Sequence, residues 1–122
     1  ARKAAFVYHD SLTRVLLRKN HPLRPIRLRH TYQLLQTYGA FDERNSILVE
    51  PRPATQEEIV TFHTDEYVRA VESLSQGKDK NNTARYGFNQ WGDNPMFPGM
   101  YEASLLSTGA SVVAAEMVAS TV

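Results

Sequence analysis

The segment FNQWGDNPMFPG, Phe88 to Gly99, sets one carboxylate, Asp93, among turn formers and large apolar side chains. Gly92, Asn94, Pro95, Pro98 and Gly99 forbid a long regular element there. Phe88, Trp91, Met96 and Phe97 supply enough apolar area for the loop to pack down. A loop anchored in this way holds a carboxylate in a fixed place at the rim of a pocket. Its two oxygens can then accept N–H donors from an extended ligand. The same residue types also serve a local end, because Asp before Asn-Pro bonds nearby amides in an Asx-type turn. Spacing alone favours the local role.

Arg27 is the second candidate. The pattern predicts a helix from Pro25 to Tyr38, with Pro at its first position and Gly39 as its stop. At 100° per residue, Leu28, Thr31, Tyr32, Leu34, Leu35 and Tyr38 share one arc. Arg29, His30, Gln33, Gln36 and Thr37 occupy the opposite arc, and Arg27 falls on the apolar side. A guanidinium there either snorkels past the helix end or is buried with partners. Geometry leaves the two readings even.

Four histidines raise the question of a metal: His9, His21, His30 and His63. No pair has the i, i+4 or H-x-H spacing of a compact zinc site, and no cysteine is present to complete one. No metal site within the chain is expected. His9 and Asp10 follow the first expected strand, where α/β proteins often place active groups.

These groups need a scaffold, and 122 residues with 42% hydrophobic content can build one domain with a core. The net charge of +1 provides no global field that would select nucleic acid or a membrane. Eight of the 14 basic residues lie between Arg2 and Arg29 with a single acid, Asp10. Without aromatic interleaving this reads as a solvated or internally docked face, and nucleic-acid contact is not expected. No apolar run approaches the ~20 residues that span a bilayer. The start lacks the apolar stretch of a signal peptide, so a cytoplasmic protein without a membrane partner is expected.

Ala4 to Tyr8 reads as a buried strand and Ile47 to Glu50 as a second, with a possible helical turn near Leu12 to Arg18. Strand, helix and strand at this spacing make a parallel crossover unit. Thr55 and Glu58 form a capping box for a short helix ending near Phe62. Thr64 caps the next helix, with Asp65 and Glu66 in its first turn and Tyr67, Val71 and Leu74 on one stripe, until Gly77 ends it. Lys78 to Ala84 is the most polar stretch and reads as a mobile surface loop. From Met100 to Val122 the chain is apolar or small nearly all round, so a helix buried on most sides and close to a sheet is expected.

Four stretches occur in a telling order: HPLRPIRLRHTYQLLQTYG (His21 to Gly39), FHTDEYV (Phe62 to Val68), FNQWGDNPMFPG and LSTGASV (Leu106 to Val112). Together they closely resemble the opening part of the zinc-dependent deacetylase superfamily, from Phe6 to about Val118. That group holds the histone deacetylases, the acetoin-utilisation proteins and the acetylpolyamine amidohydrolases. The wording is closer to the prokaryotic acetoin-utilisation branch than to the nuclear enzymes. The resemblance implies an α/β chain with a partial three-layer arginase/deacetylase-type fold, its short parallel sheet flanked by helices. Residues 1–122 would form a single partial domain.

Family members hydrolyse an acetyl-amide with one zinc, held by an Asp-x-His pair and a second Asp, while two adjacent histidines handle protons and a Tyr polarises the carbonyl. This sequence has no His-His pair and no Asp-x-His. The resemblance therefore implies a front portion of a hydrolase acting on acetyl-lysine-like amines. Zinc would belong to the complete enzyme, and the chain would be inactive alone.

Residue by residue, Asp93 matches a rim aspartate that accepts backbone N–H groups of the bound substrate. Arg27 matches an arginine lining an internal cavity beneath the zinc, where acetate leaves. His21, Pro22 and Leu23 would belong to a neighbouring rim loop, and Phe97 to a wall of the acyl-lysine tunnel. Arg24 matches a position used for inositol phosphate in some nuclear relatives, and a prokaryote-like chain gives no reason to expect that ligand. The alternative is a non-catalytic module derived from this fold. Open sheet edges and an apolar helix face would then drive assembly with copies of itself, or with the rest of the domain.

Overall fold

Two four-residue strands, β1 (Ala4–Val7) and β2 (Ser46–Val49), pair in parallel with Ala4 opposite Ser46 and Val7 opposite Val49. The computed structural model in which they are seen describes residues 2–120. Parallel neighbours need a crossover, and helix α1 (Ile26–Thr37) provides it. A single 3₁₀ turn, Asp10–Thr13, precedes α1 and covers part of the expected Leu12–Arg18 turn. Helices α2 (Gln56–Ile59), α3 (Asp65–Ser75) and α4 (Met100–Ala119) complete an α/β architecture. No helix among the described residues is long and apolar enough to cross a membrane.

The helix signals in the sequence act as written. Gly39 adopts φ +72°, which lets its N–H reach Gln36 O and the N–H of Ala40 reach Leu35 O, closing α1. Gly77 ends α3 with the same pair of bonds. Thr55 Oγ1 accepts from Glu58 N–H while Glu58 Oε1 accepts from Thr55 N–H, a reciprocal box that starts α2. Thr64 Oγ1 accepts from Tyr67 N–H at the head of α3. The head of α4 is capped from another helix: buried Ser75 accepts from Tyr101 N–H at 3.1 Å.

Four expectations change. The first strand is not buried, because Ala4 and Ala5 are exposed and β2 is its sole pairing partner among the described residues. Helix α1 is rotated from the expected apolar arc: Pro25, Arg29, Tyr32 and Leu35 turn inward, while Leu28, Leu34 and Tyr38 are exposed. Aromatic stacking sets that rotation. Tyr32 lies 4.5 Å from Tyr8, the two rings stacked and nearly parallel, and 5.2 Å from Phe41, which also contacts Phe6. The stretch 78–84 contains 3₁₀ turns, Lys80–Asn82 and the start of Ala84–Tyr86, rather than featureless loop. In α4 only Met100 and Gly109 are buried, so the helix is not covered on most sides, and Thr121 and Val122 lie outside the described residues.

Helix α4 packs on α3, on β1 and on the Asp10–Thr13 turn. Between α3 and the head of α4 sits the core of Leu74, Phe88 and Met100, bordered by Val71, Tyr86, Met96 and Phe97. The closest approach is at Gly109. There a Cβ would stand 1.7 Å from the carbonyl oxygen of Arg52, and the N–H of Ala54 donates to Leu105 O at 2.8 Å. The expected contact with a sheet is thus tightest against the strand's exit, residues 52–54.

Candidate functional site

The loop carrying Asp93 is held down at both ends and tied in the middle. Phe88 and Pro95 are buried and act as its apolar feet. Asn89 N–H donates to Asn94 O at 2.9 Å, and Asn94 Nδ2 donates to Gly87 O at 3.2 Å. The Asx-type turn expected of this segment is made by Asn89, whose Oδ1 accepts from Trp91 N–H at 3.0 Å. That turn throws the Trp91 ring outward, 85% exposed, so it is not the anchor its size suggests. Asp93 itself is exposed, and no described residue bonds its carboxylate.

Two side chains from the segment preceding α1 hold this loop through its carbonyls. His21 Nε2 lies 3.0 Å from Asp93 O, and Arg18 Nη2 donates to Trp91 O at 3.3 Å. His21 is only 5% exposed, and its Nδ1 accepts from Leu23 N–H at 3.0 Å. With Nδ1 acting as acceptor, the proton of the neutral ring is on Nε2, which donates to Asp93. Arg18 Nη1 is buried without a hydrogen-bond partner among the described residues. Pro22, beside His21, is exposed.

Arg27 and Phe97 share one cavity of about 460 Å³, walled largely by Leu12, Val15, Leu23 and Leu106. Arg27 is exposed overall, and its guanidinium has no ion-pair partner among the described residues. Phe97 is half-buried and also borders a smaller cavity with Tyr67, Phe88 and Pro95. The structure thus joins Arg27 with Phe97, and His21 with Asp93.

One pair escaped the sequence reading. Arg29, placed on the polar arc, forks onto Asp10 through Nε at 2.7 Å and Nη2 at 2.6 Å. Its hydrogen bonds hold the Asp10 carboxyl below its ordinary range. Tyr8 Oη donates to the same carboxylate at 3.1 Å, and the tyrosine is shifted up, first by burial and then by that bond. The available signal was Asp10 just after β1, within reach of a helix laid back over the strand.

The other histidines are dispersed. His9 caps the Asp10–Thr13 turn by accepting from Ser11 N–H at 3.1 Å. His30 is exposed on α1. His63 packs its ring against Phe62 and Tyr67. Among the described residues no three His, Cys, Asp or Glu side chains are grouped to hold a metal.

Comparison with known proteins follows the same lines. The sequence profile of the histone deacetylase domain matches residues 21–122. The chain is 37% identical over 120 residues to the acetoin utilization protein AcuC of Bacillus subtilis (strain 168), covering 98% of this chain and 30% of that protein. It is 35% identical over 115 residues to histone deacetylase HDAC1 of Drosophila melanogaster, covering 93% of this chain and 22% of that one. It is 32% identical over 119 residues to human histone deacetylase 1, covering 23% of that protein. The chain thus spans less than a third of the length of each of these relatives.

Proposed function

The chain belongs to the histone deacetylase domain family, with an α/β structure consistent with part of an arginase/deacetylase-type fold, and from that premise we propose that it is the substrate-recognition portion of a hydrolase removing acetyl groups from acetyl-lysine-like amines. One observation carries the reading: a solvent-facing carboxylate, Asp93, with no hydrogen-bond partner among the described residues, on a loop whose backbone is tied down by His21 and Arg18. A fixed acceptor of this kind orients an extended ligand through its amide N–H groups. Arg27 and Phe97 line one cavity, of which Asp93 is not a lining residue; in this reading Arg27 serves as a cation for the released carboxylate and Phe97 as an apolar wall.

No chemical step is assigned to this chain; among the described residues no three His, Cys, Asp or Glu side chains are grouped to hold a metal. Zinc, when bound in the whole protein, would polarise the acetyl carbonyl and activate water. A cytoplasmic location is part of the same proposal. The test is an acetyl-lysine peptide assay with added zinc on the isolated chain and on the whole protein. Turnover by the whole protein and none by the chain is expected. Turnover by the chain above a metal-free control would overturn the assignment.

A second reading is favoured by the outer face of α1, where Leu28, Leu34 and Tyr38 are 40%, 57% and 80% exposed. Such a face associates with a second copy or with the remainder of the domain. Light scattering of the isolated chain should show its mass rising with concentration. A constant monomeric mass contradicts self-association.

A further inference from the structure

We propose that His21 is a positioning residue for Asp93 and not itself a group that touches substrate. The proposal rests on reading Asp93 as the substrate-orienting carboxylate. The geometry assigns the role by exhausting the alternatives open to the ring. His21 is 5% exposed, so it presents almost nothing to a ligand. Both nitrogens are spent on backbone: Nδ1 on the N–H of Leu23, Nε2 on the carbonyl of Asp93. The two bonds differ in reach. The first is local and shapes the 21–23 turn. The second crosses 72 positions of sequence and stops at the residue whose carboxylate no described residue bonds.

A carbonyl held at 3.0 Å by a rigid ring fixes the Asp93 backbone, and with it the origin of the side chain. Arg18 does the same two residues earlier, at Trp91 O. The carboxylate is thereby positioned without consuming either of its own acceptor oxygens.

Two substitutions separate this role from a local structural one. In His21→Asn, the amide oxygen can still accept from Leu23 N–H, but the side chain is too short to reach Asp93. In His21→Gln, the amide nitrogen stands close to where Nε2 was and can still donate to Asp93 O. The measurement is kcat/KM of the zinc-loaded whole protein on an acetyl-lysine peptide, for these variants, for Asp93→Ala and for each double variant. His21→Asn should lose about three- to tenfold, the worth of one neutral hydrogen bond, while His21→Gln stays near wild type. In the Asp93→Ala background neither His21 variant should matter.

If Asp93→Ala itself leaves kcat/KM unchanged, the reading of Asp93 fails and this proposal goes with it. If Asp93→Ala is impaired but the His21 effects add to it in full, or Gln fails where Asn succeeds, this proposal alone is overturned. A readout on the 122-residue chain needs no activity: ¹⁵N spectra should show the Nε2–H form of His21, coupled across the hydrogen bond to the Asp93 carbonyl. The Nδ1–H form would overturn the proposal.

Discussion

Gly109 lies so close to the backbone of Arg52 that a Cβ added to it would meet the Arg52 carbonyl oxygen at 1.7 Å. The contact explains the glycine in LSTGASV. Helix α4 must reach the segment leaving β2 closely enough for Ala54 N–H to bond Leu105 O. Gly109→Ala should therefore cost about 3 kcal/mol through forced separation of α4 from residues 52–54. Urea unfolding checks this. A loss below about 0.5 kcal/mol, the range of an ordinary surface change, would contradict it.

Arg52 holds two elements together, bonding Glu58 in α2 at 2.8 and 3.0 Å and Glu116 in α4 at 3.1 Å. The Arg52 guanidinium, aided by the Thr55 N–H, depresses the Glu58 carboxyl from 4.5 to about 2. Between those values the unfolded chain takes up the proton first. The stabilisation is therefore complete above pH 4.5 and lost as pH falls toward 2. Denaturation midpoints of wild type and Glu58→Gln should differ at pH 6 and converge by pH 2. A constant gap across that range would contradict the assignment.

The Asp10–Arg29 fork gives a second pH signature. Arg29 lowers the folded Asp10 carboxyl below its ordinary 3.8, so the pair stabilises above that pH and fades below it. Both side chains are more than a third exposed, so the effect is modest and screened by salt. Arg29→Lys keeps the charge but cannot make both bonds. It should lower the melting temperature at pH 7 and narrow the difference at pH 2.5. An unchanged melting curve would show that the fork contributes nothing.

Arg27, with no ion-pair partner among the described residues and an apolar cavity beside it, should bind a small carboxylate weakly. In an acetate titration of the isolated chain, the Arg27 Nε–H resonance should move and saturate, while that of Arg14, outside the residues lining that cavity, does not. Equal shifts at both arginines would mean nonspecific pairing.

The sequence was most legible where one residue's chemistry suffices. Gly39, the Thr55–Glu58 box and Thr64 each set a helix end without help from distant parts of the chain. It was least legible where a choice depended on a partner far away. The rotation of α1 could not be read from its own periodicity. It is decided by Tyr8, Phe41 and Asp10, none of which lies in the helix: the two rings stack on Tyr32, and the carboxylate accepts from Arg29. Trp91 misled for a related reason, since its size suggested burial, yet the Asn89 turn directs it outward. Asp93 stood out as a lone carboxylate in a packed loop. The bonds that fix it come from His21 and Arg18, more than 70 positions away, and one-dimensional spacing carries no trace of them.

The most direct test of Asp93 as an acceptor for substrate amides uses two peptides in the zinc-loaded whole protein. One carries acetyl-lysine with its flanking backbone N–H groups intact, and in the other those groups are N-methylated. For wild type, methylation should lower kcat/KM about 10- to 100-fold, the worth of a hydrogen bond to a charged acceptor. Asp93→Ala should show the same loss on the unmodified peptide and no further loss on the methylated one. A full methylation penalty that persists in Asp93→Ala would show that another group receives those amides, and the account would be wrong.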